Sequence, residues 1–348
     1  MSGDLAARFR RLIAEVGPIS VTRFMGESNA HYYATRDPLG AGGDFTTAPE
    51  ISQMFGELAG LCLADLWNRA GRPADVVYAE LGPGRGTLAK DALRAMAGAG
   101  LRPKIHLVEG SPALRELQAG ALPGATFHED ATGLPGNRPL LILANEFLDA
   151  LPIRQIVRTE AGWRERMVGL DGGTFAFVAG PQPVNRALPK DLAESPFGMI
   201  VETNPGAEAV VEEIAHRLAR QGGAALFFDY GHVAPRTGST LQAVRAHRQV
   251  DPLAMLGEAD LTAHVDFGEL AEVARGAGCN VQVTTQGEWL GAMGIGLRAE
   301  RLARAAPDRA SEIGAASKRL TAPEQMGVLF KVMALTAKEW PESAGFAP

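Results

Sequence analysis

The segment from Val76 to Lys90, VVYAELGPGRGTLAK, constrains the fold more than any other part of the chain. Its first four residues are β-prone, and an acidic residue and a loop with three glycines at alternate positions follow them. A helical pattern then begins at Thr87. Glycine lets the backbone take a positive φ and approach a ligand closely. The order of strand, tight turn and helix therefore predicts an α/β fold with a ligand at the N-terminus of the helix.

The spacing of the glycines narrows the class of ligand. Gly-x-Gly-x-Gly differs from the dinucleotide fingerprint Gly-x-Gly-x-x-Gly and from a P-loop, in which Lys and Ser or Thr would replace Arg85 and Gly86. Glu80 stands directly before the LGPGRG loop, where it would repel a pyrophosphate. A carboxylate there suits a ligand with an ammonium group and a sulfonium, such as S-adenosylmethionine (SAM). A purely structural glycine turn is the alternative for this segment taken alone.

Two further strand ends carry acids. Lys104 to Val108 is a β-prone run that ends at Glu109, at the distance from the loop where a carboxylate of a doubly wound sheet binds ribose hydroxyls. A third short strand ends at Glu129 and Asp130. We assign the ribose to Glu109 and the adenine end to Asp130. The remaining predicted cofactor contacts are Glu80, Gly82, Pro83, Gly84, Gly86 and Asn145.

The chain divides into three predicted parts. Residues 1–70 form a helical segment with a glycine-rich loop at Gly40, Gly42 and Gly43, either a lid or an ordinary surface loop. Residues 71–335 form a doubly wound, Rossmann-like core closed by a late strand pair, with a β-meander inserted at about 154–201. Residues 336–348 form a tail that we expect to be frayed. Thr47 and Glu50 predict a capping box that opens one long helix, and 240–263 is predicted to be irregular.

Composition limits the partners and the compartment. A net charge of −6 gives no general attraction to nucleic acid or anionic membranes. Cys62 and Cys279 are far apart and lack neighbours at metal spacing, so neither a disulfide framework nor a metal site is expected. The chain has neither an apolar run long enough to span a bilayer nor the pattern of a signal peptide. These features predict a cytoplasmic protein, and an arginine-rich N-terminus leaves the mitochondrial matrix as the alternative.

Six motifs resemble the MidA-type SAM-dependent methyltransferases, a family that includes the mitochondrial assembly methyltransferase for respiratory complex I. They are GDFTTAPEISQMFGE, ELGPGRGTLAKD, HLVEGSP, LANEFLDALP, FDYGH and DLTAHVDF, and they extend from Gly43 to Phe267. Leu148 and Thr46 stand where the family often has Phe and Ile, and neither change removes a polar group. The resemblance implies a class I methyltransferase fold, SAM as cofactor and methylation of an arginine in a protein. The family's known target is the 49 kDa-type subunit of complex I.

An arginine methyltransferase needs acids at the substrate site, because a guanidinium is nearly always protonated and loses one proton as its nitrogen attacks. Glu146 and Asp149 follow the apolar strand PLLILA, and Glu146 is the first choice for clamp and base. Asp229, His264 and Asp266 are second choices. Asp149 as a turn acid and His264 as a structural histidine are the alternatives. A small-molecule methyltransferase and a catalytically silent SAM-binding assembly factor also stay open, and the sequence does not give the oligomeric state.

Overall fold

The computed structural model describes residues 2–35, 46–184, 195–245 and 248–347. Its helices are α1 Ser2–Val16, α2 Val21–Thr35, α3 Ala48–Ile51, α4 Gln53–Arg69, α5 Thr87–Gly98, α6 Pro112–Ala121, α7 Pro205–Gln221, α8 Phe267–Gly276, α9 Gln286–Ala292, α10 Ile295–Ala305 and α11 Ala310–Thr321. Its strands are β1 Ile19–Ser20, β2 Val77–Leu81, β3 Lys104–Val108, β4 Thr126–His128, β5 Leu140–Asn145, β6 Arg154–Thr159, β7 Gly162–Asp171, β8 Thr174–Pro183, β9 Ile200–Thr203, β10 Gly223–His232, β11 Gln242–Arg245, β12 Arg248–Val250, β13 Asp260–Thr262, β14 Val265–Asp266, β15 Cys279–Thr285 and β16 Phe330–Ala337.

The central sheet has the order β15-β16-β10-β5-β2-β3-β4, with β14 beside the end of β10. The strands from β10 to β4 are parallel, and β16 is antiparallel to both β10 and β15. Every residue of β2 is buried, as expected of a parallel strand covered by helices on both faces. The predicted doubly wound sheet, closed by a late antiparallel pair, is confirmed.

The strand order places the site. The chain leaves β2 toward β3 on one side of the sheet and returns to β5 on the other, so β2 and β5 flank the point where the order reverses. Ligands of open α/β sheets bind outside the carboxyl ends of the strands at such a point. The glycine loop after β2 and the acids after β3 and β5 therefore meet at one edge.

Two smaller sheets lie outside the core. The predicted meander is confirmed: β6, β7 and β8 pair antiparallel, and β1 and β9 complete a five-stranded sheet. The prediction of an irregular 240–263 segment is wrong, because β11 pairs with both β12 and β13. These strands have three or four residues each and carry mostly polar side chains, which conceals their alternation.

The segment before the core differs from the predicted capping box. Thr47 caps α3 without a side-chain hydrogen bond, and Ser52 is extended, which ends α3 after one turn. The Ser52 side chain then accepts from the Met54 amide to open α4. Instead of completing a box, Glu50 accepts a hydrogen bond from the Thr87 hydroxyl at 2.6 Å. This bond attaches α3 to the first residue of α5, beside the glycine loop. The predicted lid at Gly40 to Gly43 lies outside the described residues.

The expectation of a frayed C-terminal tail is wrong. Trp289, fully buried on α9, donates a hydrogen bond from its indole to the Ala344 carbonyl at 3.2 Å. Ser343 is buried, and its hydroxyl lies 3.2 Å from the Cys62 sulfur. The tail therefore covers the helical layer formed by α4 and α9.

Candidate active site

The glycine loop takes a conformation that side chains resist. Gly82, Gly84 and Gly86 have φ values of +63°, +53° and +77°. A Cβ at Gly82 would also lie 2.8 Å from Cδ2 of Phe147, a residue of the loop after β5. The first glycine is therefore required twice, by its positive φ and by the close approach of the two loops.

Glu80 is buried one residue before the end of β2. Its carboxylate accepts a hydrogen bond from the Tyr78 hydroxyl. Burial raises the pKa of Glu80 to about 8, although the bond from Tyr78 acts in the opposite direction. A buried carboxylate with no cationic partner among the described residues is stabilised by a cationic ligand.

Glu109 is held in place by its neighbours. One carboxylate oxygen accepts from the Ser111 amide at 2.8 Å, and the other accepts from the Gln118 side chain at 3.2 Å. Gln118 also donates to the Gly84 carbonyl at 2.7 Å, so a single amide connects the glycine loop to the acid of β3. The sequence analysis missed Gln118. The signal was a glutamine at a buried position of an amphipathic helix.

A cavity of about 710 Å³ lies at this edge of the sheet. It brings together nine of the predicted site residues, which are Glu80, Gly82, Pro83, Gly84, Glu109, Asn145, Glu146, Asp149 and His264. Four others do not line it: Gly86, Asp130, Asp229 and Asp266.

Three of those four have local structural roles. Gly86 caps α5. Asp130 is exposed and caps a short 3-10 turn, where the bonds from Thr132 lower the pKa of its carboxyl. Asp266 caps α8 by accepting from the Glu269 amide at 3.1 Å. The assignments of these residues to cofactor or substrate stay predictions.

Glu146 lines the cavity and directly follows β5. Its φ is +50°, an uncommon value for a side-chain-bearing residue. Oε1 accepts hydrogen bonds from the Ala48 amide at 3.3 Å and the Asn145 side chain at 3.2 Å. Burial raises the pKa of Glu146 to about 8, and the nearby charge of Asp149 raises it further. With Oε1 engaged, Oε2 is the oxygen available to a ligand.

Asp149 is the second acid on the same loop and is only 4% exposed. It is hydrogen-bonded to the Tyr230 side chain, while its Oδ1 is buried with no partner among the described residues. Burial raises the pKa of Asp149 to about 6. Asp229, on β10, lies behind it and accepts from the amides of Leu148 and Asp149. Asp229 therefore shapes the loop from outside the cavity.

Beside His264, the cavity is lined by Tyr33, Tyr230 and Asp260, three residues that the sequence analysis did not name as site residues. The Tyr33 hydroxyl, on α2, donates to Oδ1 of Asp260, on β13, at 2.9 Å. The half-buried Tyr230 ring packs edge-on against His264, with the ring centres 5.5 Å apart. Burial lowers the pKa of His264, and Arg236 and His232 lower it further.

The described residues fit SAM. Glu80 offers a buried carboxylate for an ammonium group, and Oδ1 of Asn145 is buried without a partner in the described ranges. Within those same ranges no cluster of three or more His, Cys, Asp or Glu side chains is arranged to hold a metal ion. No described helix combines the length and the apolar character of a membrane span.

Residues 58–285 match the sequence model of a family described as S-adenosyl-L-methionine-dependent methyltransferases. The chain belongs to this family. The resemblance stated from the motifs and the prediction of SAM as cofactor are thus confirmed.

Relatives and solved structures agree with this membership. The methyltransferase is 34% identical to "Protein arginine methyltransferase NDUFAF7, mitochondrial" of Xenopus tropicalis, over 96% of this chain and 87% of the relative. The human protein of the same name is 34% identical over 93% of this chain and 81% of its own length. A Burkholderia thailandensis crystal structure bound to S-adenosyl-homocysteine is 29% identical, covers 99% of this chain and 94% of its own, and superimposes with a TM-score of 0.87.

Proposed function

We propose that this methyltransferase transfers a methyl group to the guanidinium of an arginine in a protein substrate. The observation that carries the proposal is the pair Glu146 and Asp149, two buried acids in one cavity that each have a raised pKa. Two like charges close together disfavour each other's ionised form, and a cation between them removes that penalty. Oδ1 of Asp149, which has no partner among the described residues, gives this cation an acceptor.

The charge of the whole cavity supports a cationic substrate. Among the described lining residues the basic side chains are Arg85, at the cofactor end, and His264. The acidic ones are Glu50, Glu80, Glu109, Glu146, Asp149 and Asp260. A neutral or anionic small molecule gains little from such a lining. The relatives named protein arginine methyltransferases support the same choice.

The cofactor is assigned to the end of the cavity beside β2 and β3. When bound, SAM supplies a methyl group on a sulfonium sulfur and leaves as S-adenosyl-homocysteine. Glu80 and the backbone of Gly82 and Gly84 are assigned to its methionine part, and Glu109 to its ribose. Asn145, whose Oδ1 has no partner in the described part of the chain, is assigned to the boundary between cofactor and substrate.

The acids orient the substrate and take its proton. Oε2 of Glu146 and Oδ1 of Asp149 accept N–H groups of the guanidinium, which turns one nitrogen toward the methyl group. The new N–C bond forms as the C–S bond breaks, and the nitrogen gives one proton to the Glu146 carboxylate. The product remains a guanidinium cation, Glu146 becomes neutral, and the sulfonium charge of SAM is lost, so the total charge is conserved until Glu146 releases the proton. Holding the reactants in this geometry supplies most of the rate.

The target and the compartment stay proposals. The relatives are named mitochondrial, so the comparisons give no support to the cytoplasmic prediction and favour the stated alternative of a mitochondrial matrix protein. A protein substrate follows from arginine methylation. The complex I subunit of the 49 kDa type is the specific target that the sequence resemblance predicts.

Methyl transfer from tritiated SAM into an undialysed lysate of cells that lack this chain tests the proposal. Protein is separated from small molecules and hydrolysed, and the labelled amino acid is identified. We expect methylarginine with the wild-type enzyme and a loss of label with Asp149→Asn, which keeps the shape but removes the charge. Methyllysine or methylhistidine would contradict the assignment to arginine. Label only in small molecules would indicate the small-molecule alternative, and SAM binding without any transfer would indicate a silent assembly factor.

A further inference from the structure

The substrate end of the cavity continues into an open groove. This groove, about 330 Å³ in volume, is lined by Arg236, Ser239, Thr240, Leu241, Gln242, Gln249, Val250, Pro252 and His264. Gln242, Gln249 and His264 also line the main cavity. A side chain in the cavity and a chain segment in the groove would thus occupy one continuous space.

Hydrogen bonds between three segments of the chain fix the floor of the groove. The Thr240 amide and hydroxyl both donate to Glu202, at 2.9 and 2.6 Å, and the Thr240 hydroxyl in turn accepts from the His264 amide at 2.9 Å. These bonds connect β9, the start of β11 and the segment before β14. The Glu202 carboxylate also accepts a hydrogen bond from the Gln155 side chain at 2.6 Å. Glu202 therefore serves the internal hydrogen-bond network of the protein.

Two amides on the floor complement a peptide group. The Gln249 side chain donates to the carbonyl oxygen of the Gln242 side chain at 3.0 Å. This bond leaves the Gln249 oxygen as an acceptor and the Gln242 nitrogen as a donor. A peptide unit offers the matching N–H and C=O, as an extended backbone does when it binds beside a short strand.

Among the residues that line the groove in the described part of the chain, Arg236 is the one Asp, Glu, Lys or Arg. It is exposed, and its guanidinium donates to Nδ1 of His264 at 3.4 Å. Among the described residues no carboxylate lies within ion-pair distance of it. An acid brought by a ligand would therefore meet a positive charge in the groove that adjoins the acidic cavity.

From these contacts we propose that the groove binds an extended segment of the substrate protein and that Arg236 selects an acidic residue close to the target arginine. The inference rests on the proposed function, because it assumes that the arginine enters the cavity. It adds a determinant of substrate choice on the side of the cavity away from the cofactor. The occupant is a polypeptide, since Gln242 and Gln249 offer peptide hydrogen bonds and Arg236 offers a single ion pair.

Binding and transfer are measured with fluorescent peptides that contain one arginine and a glutamate or lysine scanned over the three positions on each side. The enzyme is loaded with S-adenosyl-homocysteine for binding and with SAM for transfer. For at least one position we expect wild type to bind the glutamate peptide about tenfold more tightly, the value of one charge-assisted contact of about 1.4 kcal/mol. Arg236→Gln should remove this preference, and Arg236→Glu should reverse it toward lysine. Affinity for the cofactor should not change in either variant.

The outcomes separate this inference from the proposed function. If the charge preference in binding follows the residue at position 236 but no methyl group is transferred, the groove is confirmed as a peptide site and the proposed function is rejected. If arginine is methylated but wild type and Arg236→Glu show the same charge preference, the proposed function is kept and the role of Arg236 in the groove is rejected. Arg248→Glu, a charge reversal on the neighbouring strand β12 outside both linings, is the matched control and should behave as wild type.

Discussion

Oδ2 of Asp229 accepts a hydrogen bond from the backbone amide of Asp149 at 3.2 Å, so one buried acid holds the other in place. The same oxygen accepts from the Leu148 amide at 3.0 Å, and Oδ1 accepts from the Tyr230 amide at 2.9 Å. Three backbone donors thus converge on one carboxylate between β5 and β10. Asp229 therefore holds the loop that carries Asp149 in place.

Replacement of Asp229 by Asn should lower turnover without weakening SAM. An amide cannot accept all three bonds, because one of its two positions is a donor that faces a backbone N–H. We expect kcat to fall by about ten- to a hundredfold, with the pH dependence of kcat shifted as Asp149 moves. Kinetics and calorimetry on the same preparation measure both effects. Asp266→Asn is the control, because asparagine also caps a helix and Asp266 lies outside the cavity; an equal loss there would remove the special role of Asp229.

The part of the cavity that the glycine loop lines could be predicted because its signals are local. Glu80 and the glycines lie within one strand and turn, and Glu109 ends the next strand, so strand order alone brings them together. Another part of the cavity depends on tertiary contacts: Tyr33 and Asp260 are 227 positions apart and meet only when α2 packs beside β13. The capping-box prediction was wrong for the same reason, since the Glu50 carboxylate pairs with Thr87 on another helix.

Replacement of Gly82 by Ala should abolish measurable SAM binding. An alanine here would have to adopt a φ of +63°, and its Cβ would lie 2.8 Å from the Phe147 ring. The loop must therefore shift, which moves its backbone away from the cofactor. Gly17→Ala is the matched control, because Gly17 has a φ of +83° but open space around its Cβ position. It should lose about 1 kcal/mol of stability from strain while keeping SAM affinity. Normal affinity in Gly82→Ala would reject the assignment of the loop.

SAM affinity should rise with pH between about 6 and 8. Burial raises the pKa of Glu80 to about 8, so the free protein carries a neutral acid below that pH and must lose a proton to hold an ammonium group. The association constant should increase by up to about tenfold per pH unit in this window. Glu80→Gln should bind weakly at every pH and lose the slope. Glu146→Gln, whose acid has a similar pKa but is assigned to the substrate, should keep the slope.

Replacement of Glu146 by Gln separates an arginine methyltransferase from a protein that only binds SAM. Gln keeps the size and one acceptor oxygen for the Ala48 amide but cannot take a proton from the guanidinium. SAM affinity should survive, while kcat falls by at least about a hundredfold, the scale of a lost general base.

Glu146→Gln should lower activity but raise stability at alkaline pH. Folding raises the pKa of Glu146 from its ordinary 4.5 to about 8, so the folded state binds the proton more tightly than the unfolded chain. The carboxyl therefore makes the wild-type protein less stable as pH rises from about 4.5 to 8, and this loss is absent in Glu146→Gln. The melting temperature of the variant should exceed that of wild type by more at pH 8 than at pH 5. An acid that only satisfied the Ala48 amide would give a modest loss of stability and normal activity per folded molecule, and that result would direct the search for the base to Asp149.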